Sequence, residues 1–268
     1  MTTNKPLKIL LVEDNDVNQQ IMSRILSRQN HQVTLASNGQ MALDAALQQP
    51  FDLILMDIEM PVMNGVKATY AIRQLPAYQN TPIIALTAHD DPNEVAQYFY
   101  GGMNDHLQKP IDVHQLTGVI ARYFPDRIET SSQAQTTRNI DVLPETGKLM
   151  DFEALVETVG GKENFALHIL QLFFKGADES KAELFAAIEQ HDTATVKRLA
   201  HRIKGSMANA RLIGGIDAME ALETMAQDLS FEKMQALYQT WQADMDAIHA
   251  EFMQKANQFM QKRQQKNQ

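Results

Sequence analysis

The stretch FDLILMDIEMP, residues 51–61, decides how the first half of the chain is read. Leu53, Ile54, Leu55 and Met56 form a short apolar run of the kind that becomes a strand buried between two helical layers. Asp57 stands where that strand ends, and Ile58, Glu59, Met60 and Pro61 close it, because proline has no N–H to give to a ladder. A carboxylate at the carboxyl end of a buried strand is either a solvated terminus or a working group. The rest of the chain has to choose between the two.

On either side of this stretch, apolar runs alternate with helical patterns up to about Phe124. KILLV (8–12), QVTLA (32–36), DLILM (52–56), PIIAL (82–86) and DHLQ (105–108) are predicted strands. Between them Val17, Ile21 and Ile25, then Met41, Leu43, Ala46 and Leu47, recur at helical spacing. That alternation predicts a doubly wound α/β domain with a five-stranded parallel sheet. Pro125 to Lys148 is rich in Ser, Thr, Gln and Asn and reads as a flexible linker. From Leu149 onward the patterns repeat every three or four residues, around NFALHILQLFF, TVKRLAHRIKG, DAMEALETMA and LYQTWQADMDAIHAEFM. This half is predicted to be an all-α helical bundle. The expected domains are therefore 1–124, a linker 125–148, and 149–268.

Charge and composition exclude several function classes. The 268 residues carry a net charge of −9, with 8 basic against 12 acidic groups in 1–124 and 13 against 17 in 149–268. Neither half is a basic module for gripping nucleic acid. Without cysteine, disulfides and thiolate chemistry are out of reach. KILLV is followed at once by Glu13 and Asp14, so it reads as a strand rather than a signal peptide. No apolar run is long enough to span a bilayer, and the expectation is a cytoplasmic protein with no direct membrane insertion.

In an open parallel sheet, functional groups gather at the carboxyl ends of the strands. Here those ends carry Glu13 and Asp14, Asp57, Thr87 and Lys109. Three carboxylates on one edge repel unless a cation shares them, and an all-oxygen set favours a hard ion, Mg²⁺ above all. Lys109 adds a fixed positive charge and Thr87 a hydroxyl donor. Phosphoryl transfer onto Asp57 needs that set: a carboxylate nucleophile, and positive charge facing the phosphoryl oxygens. Taken singly, Asp14 could cap a helix with Asn15, Thr87 could merely end a strand and Lys109 could sit in a turn. All five at successive strand ends make that joint reading improbable.

ILLVEDN, MDIEMPVMNG, TPIIALTAH and GGMNDHLQKPID resemble, in order and spacing, the receiver domain of two-component response regulators over about residues 7–124, especially the kind attached to hybrid histidine kinases. The resemblance implies that Asp57 is the phosphoacceptor, that Asp14 binds Mg²⁺ directly with Glu13 alongside, and that the backbone carbonyl of Glu59 is a further ligand. It also implies that Lys109, before a cis Pro110, pairs with the phosphoryl group and that Thr87 moves toward it as a switch. One departure is His106, which stands where the family has a rotating Tyr or Phe.

In TVKRLAHRIKGSMANAR, residues 195–211, Val196, Leu199, Ala200, Ile203, Met207 and Ala210 fall within about 50° of one direction on a helix. His201 lies about 140° from that stripe and is expected to face solvent. Gly205, one turn on, costs about 1 kcal/mol relative to alanine. Clearance for a partner closing over the imidazole explains it, with Ala208 small nearby and Lys204 placed to neutralise phosphate. AHRIKGSMANA resembles the motif of the His-containing phosphotransfer (HPt) domain, over about residues 149–250. The resemblance implies a four-helix bundle, with His201 phosphorylated on a ring nitrogen and no ATPase activity of its own. Met207 and Arg211 depart from the family's small residues and are expected to crowd or re-charge the docking face. The other seven histidines are read as structural.

The function expected is that of a phosphorelay protein: an upstream histidine kinase to Asp57, then His201, then a downstream response regulator. Without a kinase domain or a GxxxxGK[ST] motif, the chain would be no kinase, only self-phosphorylating from a small donor with Mg²⁺ and autodephosphorylating. Its rivals are an interaction module gated by phosphorylation, and a phosphate sink with flow from His201 back to Asp57, in which Glu59 and His89 set the hydrolysis rate. A hydrolase centred on Asp57 is disfavoured because DIEMP lacks the second aspartate two residues on.

Overall fold

β-Branched and apolar runs form five parallel strands in the computed structural model, which describes residues 6–88, 92–125, 148–225, 228 and 230–266. The strands are β1 (Lys8–Val12), β2 (Gln32–Ala36), β3 (Leu53–Asp57), β4 (Ile83–Thr87) and β5 (Asp105–Gln108), in the order β2-β1-β3-β4-β5. β3 and β4 run one residue further than their apolar patterns suggest, so Asp57 and Thr87 are the last residues inside their strands. Asp57 pairs with Leu86 in register, and Thr87 with Gln108.

Helices α1 (Asp16–Arg28), α2 (Gly39–Gln48), α3 (Gly65–Arg73), α4 (Pro92–Tyr100) and α5 (Val113–Tyr123) cover both faces. Asn15, Asn38, Asn64 and Asp112 cap α1, α2, α3 and α5, each side chain accepting first-turn N–H groups. One face buries Ala42 and Ala46 of α2, Ala68 and Ile72 of α3 and Tyr98 of α4 against Leu10, Ile54, Met56, Ile83 and Ala85. On the other face α1 and α5 meet, where Gln29 Nε2 donates to Thr117 Oγ1 at 2.8 Å.

A second compact unit lies within Ile140–Gln268, the first lying within Met1–Asn139. It holds the short α6 (Phe152–Thr158) and four longer helices, α7 (Glu163–Glu189), α8 (Thr193–Asn209), α9 (Ile216–Met225) and α10 (Phe231–Lys266). α7 packs on α8, α8 on α9, α9 on α10, and α10 back on α7, which closes a four-helix bundle. α6 is an addition that the helical patterns did not single out. The stripe Val196, Leu199, Ala200, Ile203, Met207 and Ala210 is buried as its spacing requires. Among the described residues no helix is long and apolar enough to cross a membrane. Most of the linker, residues 126–147, and His89 lie outside the described residues.

Candidate functional site

The strand order reverses direction between β1 and β3, and a crevice opens at the carboxyl ends of those two strands. Glu13 and Asp14 leave β1 there, and Asp57 ends β3 beside them. One oxygen from each of the three carboxylates lies within 4.8 Å of the others. Asn15, rather than Asp14, caps α1, accepting from the N–H groups of Val17 at 3.0 Å and Asn18 at 3.1 Å. That leaves the Asp14 side chain, half-buried, to the cluster. Glu13 is fixed by Asn18, whose Nδ2 donates to Oε1 at 2.9 Å.

Lys109 follows β5 and reaches into the same crevice, with its Nζ 2.7 Å from both Asp57 Oδ2 and Glu13 Oε2. Its peptide bond to Pro110 is cis, and its N–H donates to the Thr87 carbonyl. Burial, with the charges of Glu13 and Asp14, pushes the Asp57 carboxyl up to about 7 in spite of Lys109. Desolvation lowers Lys109, but Asp57 and Glu13 outweigh it and hold the ammonium well above its usual value. Three carboxylates facing one ammonium leave a surplus of negative charge in a buried oxygen-only site. Those residues fit a hard divalent cation. The Glu59 carboxylate is not in the cluster; its N–H donates to Asp57 Oδ1 at 3.3 Å.

Gly65 explains the end of the MDIEMPVMNG motif. A Cβ there would stand 2.1 Å from the Asp57 carbonyl oxygen, and the Gly65 N–H donates to the Ile58 carbonyl at 3.0 Å. Only glycine lets the start of α3 lie this close to the strand that carries Asp57.

Thr87 is buried, and its hydroxyl lies 3.2 Å from that of Tyr98 on α4. Tyr98 escaped the sequence reading, because a tyrosine in an amphipathic helix is ordinary core. His106 packs edge-on against Phe99, with ring centroids 6.5 Å apart.

In the helical unit, His201 is not turned to solvent: only 13% of its side chain is exposed, and Nδ1 lies 2.8 Å from Glu223 Oε1. The helical wheel puts it about 140° from the buried stripe, but Glu223 of α9 reaches that flank of α8 as well. Glu223 is buried and also takes Lys204, with Nζ 2.6 Å from Oε2. Burial raises the Glu223 carboxyl, but its bonds to His201 and Lys204 outweigh that and bring it down to about 2. The signal for Glu223 was available: it sits four residues after buried Met219, a carboxylate on an apolar stripe. A Cβ at Gly205 would meet nothing within 4 Å, and Ala208 is half-buried.

The two expected departures on this face resolve differently. Met207 is fully buried and cannot crowd a docking surface. Arg211 sits at φ 57° just past α8, where its N–H donates to Ala208 O and that of Leu212 donates to Met207 O. This is the left-handed helix stop in which glycine is the usual occupant.

Residues 9–121 match the family model of the response regulator receiver domain, and residues 168–251 that of the Hpt domain. The chain is 31% identical over 200 residues to the signal transduction histidine-protein kinase BarA of Escherichia coli K12, covering 75% of this chain and 22% of the relative. It is 30% identical to the sensor protein GacS of Pseudomonas syringae pv. syringae, covering 74% of this chain and again 22% of the relative. The chain thus spans about a fifth of the length of the curated relatives it matches. Among solved structures, the receiver domain of sensor histidine kinase PA1611 of Pseudomonas aeruginosa, crystallised with a magnesium ion in its active-site cleft, is 38% identical. That match covers 45% of this chain and 99% of the other, with a TM-score of 0.43.

Proposed function

Starting from a chain that joins a response regulator receiver domain to an Hpt domain, and so is a two-component phosphorelay protein, we propose that Asp57 and His201 are its two phosphoryl carriers. The observation that carries this reading is the position of the Lys109 ammonium, 2.7 Å from both Asp57 and Glu13 at the β1–β3 crevice. A Mg²⁺ held by Asp14, Asp57, Glu13 and the carbonyl of Glu59 would supply the remaining charge neutralisation.

An Asp57 oxygen attacks the phosphorus of a donor phosphohistidine, forming the O–P bond as the P–N bond breaks and the donor imidazole leaves. Lys109 faces the phosphoryl oxygens, and the Thr87 hydroxyl donates to one of them. In the helical unit, Glu223 is ionised at neutral pH and can only accept. The His201 proton therefore sits on Nδ1, which leaves the Nε2 lone pair to form the P–N bond as the Asp57 carboxylate departs. The open face at Gly205 and Ala208 admits the receiver that delivers or collects the group, with Lys204 beside it. The partners are a histidine kinase upstream and a response regulator downstream. The domain limits proposed are 1–124 and 149–268, joined by 125–148.

Loading with radiolabelled acetyl phosphate tests the assignment. Wild-type protein should carry both alkali-labile acyl phosphate and alkali-stable, acid-labile phosphohistidine. His201→Gln should keep only the first, Asp57→Asn should carry neither, and EDTA or Asp14→Ala should abolish all labelling. Labelling undiminished by EDTA would refute the metal-assisted site.

A further inference from the structure

We propose that Tyr98 is a positioning residue for the switch hydroxyl, holding Thr87 in its resting orientation and yielding it when Asp57 is phosphorylated. The inference rests on the reading of Asp57 as phosphoacceptor and of Thr87 as a donor to the phosphoryl group. Its own observation is the 3.2 Å contact between the Thr87 and Tyr98 hydroxyls, both residues being buried.

A phosphoryl oxygen can only accept, so Thr87 must present its single O–H to it. In the resting state that hydroxyl sits against Tyr98. Tyr98 cannot easily follow it toward Asp57. Its ring belongs to the core cluster with Met56, Ala85 and Met103, on the face covered by α2, α3 and α4, and packed interiors resist such shifts. Turning Thr87 toward the phosphoryl group therefore breaks the contact. The next residue on α4, Phe99, packs against His106 of β5. This device needs no rotating aromatic ring at position 106.

The test is titration of the full chain with beryllium fluoride in the presence of Mg²⁺, a phosphoryl mimic for Asp57, followed by calorimetry. Tyr98→Phe keeps the ring and removes only the hydroxyl. It should bind the mimic about fivefold more tightly, the ~1 kcal/mol net worth of one hydrogen bond no longer holding the resting state. In a Thr87→Val background the same substitution should leave the affinity unchanged, because the contact it deletes is already gone. Unchanged or weakened binding by Tyr98→Phe overturns the proposal, as does equal tightening in both backgrounds, which would mark a general effect on packing. If the wild type and every variant fail to bind the mimic, the assignment of Asp57 itself fails, and this inference with it.

Discussion

Replacing Glu223 by Gln tests whether His201 is a prepared nucleophile or an ordinary half-buried histidine. Glutamine keeps the volume, so the packing of α9 on α8 should survive, but it removes the charge facing His201 Nδ1 at 2.8 Å and Lys204 Nζ at 2.6 Å. The imidazole becomes positive as Nε2 bonds to phosphorus, and the carboxylate stabilises that charge more than an amide does. Charge-assisted hydrogen bonds are worth about twice neutral ones, a difference of ~1–1.5 kcal/mol. Transfer from Asp57 to His201 should therefore slow about tenfold, and the steady-state ratio of phosphohistidine to aspartyl phosphate should fall by a similar factor. Quench-flow with labelled acetyl phosphate reads both, and Asp57 labelling serves as the internal control. Nitrogen NMR should find His201 protonated on Nδ1 in the wild type and a mixture of tautomers in Glu223→Gln. The carboxyl sits at about 2 when folded, below its unfolded value of 4.5. The stability its ionised carboxylate contributes is thus fully present above about pH 4.5 and is lost only as pH falls through about 2, so assays between pH 6 and 8 see one ionisation state of Glu223. Equal transfer rates and equal tautomer populations in the two proteins would refute the reasoning.

Gly65→Ala should cost about 2 kcal/mol in urea unfolding, as overpacking does, and depress Asp57 labelling, because the added methyl falls 2.1 Å from the Asp57 carbonyl oxygen. Gly205→Glu meets open space and should fold normally, leave Asp57 labelling intact and block phosphohistidine formation; normal transfer would show that the face is not a docking surface. The composition of residues 125–148 predicts a flexible linker, and 24 residues of flexible chain span roughly 25–30 Å and give an effective concentration on the order of millimolar, so transfer between Asp57 and His201 should be independent of protein concentration; a rate that falls on dilution would mean transfer between chains. His31 is buried, accepts the Leu7 N–H on Nδ1, and is lowered by desolvation. The unfolded chain therefore takes up the proton first, so stability should decline as pH drops below about 6.5. Urea unfolding at pH 7.5 and 5.5 should show that decline reduced in His31→Asn.

What the sequence determined by itself is whatever follows from local periodicity and winding. Five apolar runs separated by helical patterns force a parallel sheet, and a parallel sheet brings every strand's carboxyl end to one edge. Glu13, Asp14, Asp57, Thr87 and Lys109 could therefore be read as one constellation before any contact was known. In the same way the stripe from Val196 to Ala210 settled which face of α8 is buried, and Gly205 marked a gap on another face. Tertiary structure alone decided which element lies against each remaining face. α9 brings Glu223 to His201 across 22 residues of sequence, turning an imidazole expected in solvent into a covered, oriented one. α4 brings the Tyr98 hydroxyl to Thr87. Periodicity constrains an element relative to its own axis. Contacts between elements depend on how all the helices share the available surface, and no single stretch of the chain encodes that arrangement.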